Sequence, residues 1–169
     1  MNIRDRLAQT LDEMDSVAKL FNVEPFDIYF LGGAACVLGG YTDRATRDFD
    51  FIDLDYNAYM GKVFAILRDY DMLEYASTLI APDYKNRAKK IEKYTAFNAY
   101  VLSPEDIVVS KIIRLEQKDS QDIDELIAKC DKTLLNEIID RVLTRTDLFE
   151  SKKSTFKRNL QKFREQYDV

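Results

Sequence analysis

A short buried strand that runs directly into two glycines restricts the fold of this chain more than any other feature. After Pro25 the segment FDIYFL is aromatic and β-branched, and it stops at Gly32 and Gly33. The segment AACVLGGY follows, with helix-forming residues and a second glycine pair at its end. Glycine tolerates tight turns and close backbone approaches that other residues do not. This order predicts a strand, a tight turn and a short helix.

A second predicted strand carries two aspartates on one side. In RDFDFIDL, Asp48 and Asp50 alternate with Phe49 and Phe51, so the carboxylates share one strand face and the rings share the other. Two carboxylates held close together repel unless a cation lies between them, and Mg²⁺ prefers such oxygen ligands. An isolated Asp-x-Asp is most often a solvent-facing strand end. The nearby glycine turn favours a metal site instead, because amides at a helix N-terminus attract phosphate.

Helical periodicity predicts much of the remaining chain. Residues 3–21 carry an apolar stripe with three- and four-residue spacing, and residues 57–70 carry another with Asn57 as cap. Ser103 before Pro104 is a helix start, because the serine oxygen can cap free amides and proline tolerates the first helical position. Between 71 and 102 we expect a return strand, an exposed basic turn and the strand FNAYVL. Further helices are predicted near 104–117, 120–130, 133–144 and 147–166.

The composition excludes several kinds of chemistry. The chain has no histidine, which removes imidazole-based triads, His-metal sites and His general bases. Its two cysteines, Cys36 and Cys130, lack the spacing of a zinc site or a disulfide framework, which favours a reducing, cytoplasmic location. No apolar run is long enough to cross a membrane, and the start MNIRDRLAQT is unlike a signal peptide. A net charge of −5 argues against a broad nucleic-acid surface, although a local basic site is still allowed.

Lys111 is predicted to face inward on the helix that follows Pro104. A helix advances about 100° per residue, so Lys111 falls between Ile107 and Leu115, inside the apolar arc. A buried ammonium group needs a carboxylate or a bound phosphate as its partner. The alternatives to a functional role are snorkelling to the surface and a structural ion pair with one of three carboxylates: Asp48, Asp119 or Asp122.

Two segments resemble a known superfamily. The segment FLGGAACVLGGYTDRATRDFDFID, from Phe30 to Asp53, resembles the signature of the nucleotidyltransferases with a polymerase-β-like palm. It looks most like the branch that contains AbiEii-type toxins and small bacterial relatives with Gly-Gly, Arg-x-Thr and Asp-x-Asp. The segment SPEDIVVSKIIRLEQKDSQDIDEL, from Ser103 to Leu126, is similar to the later block of the family, in which a helix lysine precedes an aspartate. Together the blocks cover about a quarter of the chain.

The resemblance implies a fold and a domain organisation. It implies an α+β fold, with a small mixed β-sheet as the nucleotidyltransferase core, flanking helices and a C-terminal helical region. The nucleotidyltransferase-like domain would span residues 1–130, and a C-terminal helical extension packed on it would span residues 131–169.

The resemblance also implies the site residues. Asp48 and Asp50 would be catalytic and hold Mg²⁺, with Mn²⁺ as the alternative. Lys111 would be catalytic together with a later carboxylate, for which Asp122 competes with Asp119. Gly32 and Gly33 would bind the phosphates and Arg44 and Thr46 would brace the site. Arg114 and Lys118 lie along the edge of the Lys111 stripe, where a triphosphate could meet them. The implied nucleotide-binding residues are therefore Gly32, Gly33, Arg44, Thr46, Arg114 and Lys118.

The implied activity is transfer of a nucleoside monophosphate from an NTP to an acceptor. The expected partners are the NTP, a tRNA-like RNA or a protein acceptor, and a cognate protein of a toxin-antitoxin pair, with no membrane. For the basic turn around Lys85 to Lys90, which includes Arg87, a solvated loop is the main interpretation and contact with acceptor RNA is the alternative. The sequence departs from the superfamily in two ways: Gly-Gly replaces the common Gly-Ser, and FNAYVL lacks a third carboxylate.

Two other functions stay open. The first is a non-catalytic member of the same fold that binds a nucleotide or a partner protein as an antitoxin or interaction module. The second is a drug-modifying adenylyltransferase, for which the acidic composition is compatible but unspecific.

Overall fold

The fold is α+β, as the sequence predicts. The computed structural model describes residues 1–44 and 46–169. By their internal contacts these residues form two compact units. The first unit contains residues 1–73 and 88–102, and the second contains residues 74–87 and 103–169. No helix in the described part of the chain has the length and the apolar character needed to cross a membrane.

A mixed five-stranded sheet forms the centre of the first unit. Its spatial order is β3-β2-β1-β5-β4. Strand β1 runs antiparallel to β2 and parallel to β5, β2 runs parallel to β3, and β4 runs antiparallel to β5. The strands are β1 Phe26–Leu31, β2 Phe49–Ile52, β3 Tyr70–Leu73, β4 Lys89–Ile91 and β5 Phe97–Val101.

One face of this sheet is a buried aromatic layer. Phe30 pairs in register with Phe51, and both side chains are fully buried. The Phe51 ring lies 4.9 Å from the ring of Phe64, which lies outside the sheet. Alternation along the strands sends Asp50 to the opposite face, where Tyr29 and Tyr100 stack with centroids 4.6 Å apart. The site described below therefore lies on the more polar face of the sheet.

Helices of the first unit pack beside the sheet. Helix α1 (Ile3–Leu20) buries the middle of the predicted stripe, from Leu7 to Ala18, and contacts both α2 (Gly32–Leu38) and α3 (Gly61–Phe64). Its cap is Asn2, whose side chain accepts a hydrogen bond from the Asp5 amide over 2.8 Å. The predicted helix over 57–70 is wrong in part: α3 is flanked by two 3₁₀ turns, Ala58–Met60 and Ala65–Leu67.

Two local predictions fail for identifiable reasons. Asn57 precedes the first of these 3₁₀ turns without a capping hydrogen bond from its side chain, and Arg68, at φ 68°, ends the second in the left-handed region. The predicted basic turn around Lys85 to Lys90 is instead a short helix, α4 (Tyr84–Arg87), followed by β4. Strand β4 pairs with β5 at the edge of the sheet, and its mostly charged residues carry no alternating pattern that would predict a strand.

The second unit contains four longer helices. Ser103 caps the first of them as predicted, because its Oγ accepts from the Asp106 amide at 3.1 Å. The unit also contains α4 and a 3₁₀ turn at Tyr75–Ser77. The longer helices are α5 Pro104–Ile112, α6 Gln117–Ile127, α7 Lys132–Leu143 and α8 Glu150–Tyr167.

Helix α5 ends five residues earlier than the sequence pattern predicts. Leu115 adopts a left-handed backbone with φ 44°. Glu116 then becomes the N-cap of α6 and forms a reciprocal capping box with Asp119. Arg114 and Lys118 therefore lie outside α5, which corrects their placement along the edge of the Lys111 stripe.

Candidate functional site

The turn between β1 and α2 lies directly against Asp50. Strand register places Leu31 opposite Asp50. The next residue, Gly32, has φ +73°, and a Cβ at this position would collide with Oδ2 of Asp50. Both the backbone conformation and the space therefore require glycine here. The predicted phosphate-binding turn and one predicted metal ligand are brought into contact by the strand pairing.

A second glycine contact draws in Thr46. A Cβ at Gly33 would lie 2.9 Å from Oγ1 of Thr46, so the start of α2 is flanked by the loop that leads into β2. Arg44 is half-buried in the same loop. The structure thus gathers Gly32, Gly33, Thr46 and Asp50 around one turn.

The two predicted metal ligands lie at the start of β2. Asp48 lies directly before β2 and is exposed, whereas Asp50 is half-buried within the strand. Over residues 1–44 and 46–169, no group of three or more Asp, Glu, His or Cys side chains could hold a metal ion. Mg²⁺ is usually held by one or two carboxylates together with substrate phosphates. The donor set of Asp48 and Asp50 therefore fits Mg²⁺ that arrives with a nucleotide.

Replacing Gly32 by alanine is expected to destabilise the first unit. The left-handed backbone and the collision with Asp50 together predict a loss of about 2 kcal/mol or more in the free energy of unfolding. Chemical denaturation followed by circular dichroism measures this loss. Gly61→Ala is the matched control, because a Cβ there meets nothing within 4 Å. A loss at Gly32 no larger than at Gly61 would contradict the assigned strain.

Lys111 is buried among carboxylates of its own unit. It is 8% exposed, which confirms that it faces inward. Its Nζ donates to Oδ2 of Asp122 at 3.1 Å and lies 3.7 Å from Oδ1 of Asp119. Two of the three carboxylates considered for a structural ion pair are thus its partners. Asp122 is the nearer of the two residues that compete for the later acidic position.

Asp119 is held mainly by Arg114. The guanidinium donates from Nε to Oδ2 at 2.7 Å and from Nη2 to Oδ1 at 2.8 Å. Burial raises the pKa of Asp119, but the hydrogen bonds from Arg114 and the charge of Lys111 outweigh it, so the pKa lies below the ordinary 3.8. The Asp119 carboxylate therefore stays ionised and fixes the start of α6.

The comparison with family models covers nearly the whole chain. A model described as "Nucleotidyltransferase of unknown function (DUF6036)" matches residues 5–168. The chain belongs to this family. No curated protein and no solved structure matches it. The family match agrees with the superfamily that the glycine turn and the aspartate pair indicate.

The lowered pKa of Asp119 predicts how the stability of the second unit depends on pH. A carboxyl group with a lowered folded-state pKa stabilises the fold above its unfolded-state pKa, and this contribution disappears as the pH falls through the folded-state value. The free energy of unfolding should therefore fall as the pH drops below about 5, and less steeply in Asp119→Asn. Urea titrations across this range measure the slope. Asp140→Asn, at an exposed carboxyl of α7, is the control and should keep the wild-type slope.

Arg87 does not lie in a solvated loop, which corrects the main interpretation of the basic segment. Its guanidinium donates from Nε and Nη2 to the fully buried Asp106, both at 2.9 Å, and from Nη2 to Asp83 at 3.0 Å. Lys85 and Lys89 are exposed. The sequence could not show these pairs, because Arg87 and Asp106 are 19 residues apart.

Strand register reveals one carboxylate that the sequence pattern did not single out. Asp71 of β3 pairs in register with Asp50 of the parallel strand β2, so both residues lie on the same sheet face. Asp71 is exposed. Only the pairing of YDML with β2 distinguishes this residue from other surface aspartates.

Lys118, a predicted nucleotide-binding residue, is exposed at the second position of α6.

The cysteines do not add a nucleophile. Cys36 is buried within α2, and both cysteines are free thiols. Burial raises the pKa of Cys130 to about 12, so this thiol stays protonated at neutral pH.

Proposed function

We propose that the chain transfers a nucleoside monophosphate from an NTP to an acceptor hydroxyl or phosphate, with Mg²⁺ held by Asp48 and Asp50. The acceptor is a tRNA-like RNA or a protein, and the chain acts as one member of a toxin-antitoxin pair. Family membership supports nucleotidyl transfer itself. The metal, the acceptor and the biological setting are the parts that we add.

One observation carries this proposal: the left-handed Gly32 turn lies against the carboxylate of Asp50. A phosphate bound at the start of α2 would meet backbone amides with no side-chain cap. The same phosphate would lie beside a carboxylate suited to a hard cation. Phosphate and carboxylate repel each other, so a cation shared by both is the arrangement that makes their proximity favourable.

The reaction follows from these groups. An acceptor oxygen forms a bond to the α-phosphorus, the bond from that phosphorus to the bridging oxygen breaks, and pyrophosphate leaves with the electron pair. The acceptor hydroxyl loses its proton to solvent or to a carboxylate. Asp48 and Asp50 would hold Mg²⁺, which would neutralise charge on the phosphate oxygens. Gly32 and Gly33 leave room for the phosphates, Thr46 supports the turn, and Asp48 and Asp50 orient the nucleotide.

The roles assigned to Lys111, Arg114, Lys118 and Asp122 stay predictions. Lys111 and Arg114 already have carboxylate partners in the second unit. For this reason the experiments that test the function act on the glycine turn and the aspartate pair first.

Labelled nucleotides test the proposal directly. The protein is incubated with each of the four α-³²P NTPs, with MgCl₂ or EDTA, and with total tRNA or a protein lysate. We expect label on one acceptor class only when MgCl₂ is present, together with one pyrophosphate released per label. Transfer that is unchanged in EDTA would refute the role of the metal. Absence of transfer with all four nucleotides and both acceptors would refute the enzymatic function.

The second candidate is a non-catalytic nucleotide- or partner-binding module. The ion pair between Lys111 and Asp122 favours it, because two predicted catalytic groups neutralise each other in the second unit. This candidate predicts Mg²⁺-dependent NTP binding by calorimetry without transfer, or a bound protein partner without nucleotide binding. Either result, combined with no labelled product, would replace the enzymatic proposal.

A further inference from the structure

Helix α8 concentrates positive charge in an acidic chain. Its sequence, ESKKSTFKRNLQKFREQY, contains six Lys or Arg and two Glu, a net charge of +4. The whole chain has a net charge of −5, so the residues outside α8 carry −9. Electrostatic repulsion among the basic side chains opposes this clustering. A bound anion would remove the repulsion.

Three of the six positive side chains of α8 lie on one exposed helix face. Exposed residues recur along α8 at intervals of three and four, which places them on a single face of the helix. We call this set the basic face; it consists of Ser154, Lys157, Arg158, Gln161 and Lys162. No salt bridge of the described residues includes Lys157, Arg158 or Lys162. Glu165 is the acidic residue at the end of the same stripe.

Folding of the second unit does not require this charge. The opposite side of α8 buries Phe156, Leu160 and Phe163, and this apolar stripe accounts for the packing of the helix. Asn159 adds a hydrogen bond to the Ile113 carbonyl at 2.6 Å. Any mixture of polar side chains would keep the outer face soluble in water. A run of unpaired cations instead creates a site for an extended anion.

We propose that the basic face of α8 binds the sugar-phosphate backbone of RNA. Lys157, Arg158 and Lys162 pair with phosphates, and Ser154 and Gln161 donate to phosphate or ribose oxygens. The proposal deepens the function above, because it selects RNA over protein as the acceptor. The choice of acceptor rests on the proposed transfer, whereas the binding of RNA itself does not.

The composition of the basic face favours RNA over an anionic membrane or an acidic protein. An interfacial helix inserts apolar side chains into the lipid, but the apolar residues of α8 are buried in its own unit. A protein interface is built around buried aromatic or aliphatic anchors, and the basic face has none. A phosphate backbone needs only regularly placed cations and hydrogen-bond donors.

The test is RNA binding by a variant with reversed charges. Fluorescence anisotropy measures the affinity of the full chain for an unstructured, labelled RNA of about 16 nucleotides. Lys157→Glu, Arg158→Glu and Lys162→Glu combined should weaken binding about 100-fold at low salt. The slope of log affinity against log salt should also become less steep by about 2. Circular dichroism verifies that α8 remains folded.

A second variant controls for net charge. Arg4→Glu, Arg6→Glu and Lys62→Glu combined change the charge equally at exposed positions of the first unit. This variant should bind RNA within about threefold of wild type. Equal loss in both triple variants, unchanged binding in the α8 variant, or no RNA binding by wild type would overturn the proposal. A different result would be that the wild type binds vesicles rich in phosphatidylserine but not RNA, and that the α8 variant does not bind the vesicles. The ligand of the basic face would then be an anionic membrane instead of RNA.

Measurements of transfer separate this proposal from the function above. Asp50→Asn should keep wild-type RNA affinity while it loses transfer. RNA binding through α8 in a protein that transfers no label refutes the enzymatic function and leaves the RNA site intact. Label transfer to RNA with equal efficiency in wild type and in the α8 variant, together with equal RNA affinity, refutes the RNA site and leaves the enzyme intact.

Discussion

Asp50→Asn is expected to lower nucleotidyl transfer by about 100-fold or more. Charge neutralisation by a bound metal contributes several kcal/mol to such reactions, and each 1.4 kcal/mol corresponds to about a factor of ten in rate. Asparagine keeps the size of the side chain but removes its negative charge. Because Asp50 lies against Gly32, the loss should appear both in the rate of transfer and in the Mg²⁺ concentration that transfer requires.

Asp53→Asn is the matched control for this substitution. Asp53 directly follows the same strand, and its Oδ1 accepts a hydrogen bond from the Asp55 amide at 2.8 Å. The amide oxygen of asparagine can accept the same bond. Initial rates with labelled NTP over a series of Mg²⁺ concentrations should be near wild type for Asp53→Asn. Wild-type rates in Asp50→Asn, with intact circular dichroism, would remove Asp50 from the metal site.

The sequence predicts the elements around the β1–α2 turn because local signals agree there. An aromatic strand stops at two glycines, and a period-2 pattern with two aspartates follows. The structure has β1, α2 and β2 at these places. What the sequence could not supply is the strand register, which brings Asp50 to Gly32 and Asp71 beside Asp50.

Predictions fail where local patterns compete with tertiary contacts. The stripe over 57–70 has helical spacing, yet the left-handed Arg68 ends a mixture of 3₁₀ and α turns. The charged residues of β4 read as a turn, because a short edge strand has no buried face to mark it. The capping box of Glu116 and Asp119 is visible as E-x-x-D in the sequence, and it indicates that the boundary between the two predicted helices lies before residue 117.

Ion pairs over long sequence separations are the second limit. Lys111 was predicted to face inward from helical geometry alone, and it does. Whether Asp119 or Asp122 is the nearer ion-pair partner of Lys111 depends on how α5 and α6 pack, and the periodicity of either helix does not determine that packing. The same holds for Arg87, whose partner Asp106 lies on another element.

Arg145→Ala is expected to have the largest effect on stability, because Arg145 supports the second unit from the inside. Its side chain is 2% exposed. Nη1 donates to the carbonyls of Thr78 and Ile80 at 2.7 and 3.0 Å, and Nη2 donates to the carbonyl of Tyr75 at 3.0 Å. Asp147 accepts from Nε and Nη2 at 2.9 and 2.7 Å. Alanine would remove all five of these hydrogen bonds from a buried position and should cost about 3 to 5 kcal/mol.

Two further substitutions show which property of Arg145 stabilises the unit. Arg141→Ala removes another arginine near the end of α7, but that side chain is 45% exposed and bound to Asp83 at 2.7 Å, so it should cost about 1 kcal/mol or less. Arg145→Lys keeps the charge but not the planar fork of five donors, and it should lie between the two alanine variants. Denaturant titrations of the three proteins give this order. If Arg145→Lys is as stable as wild type, the buried charge stabilises the unit and the geometry of the fork does not. If Arg145→Ala costs no more than Arg141→Ala, neither the charge nor the geometry of Arg145 stabilises the unit.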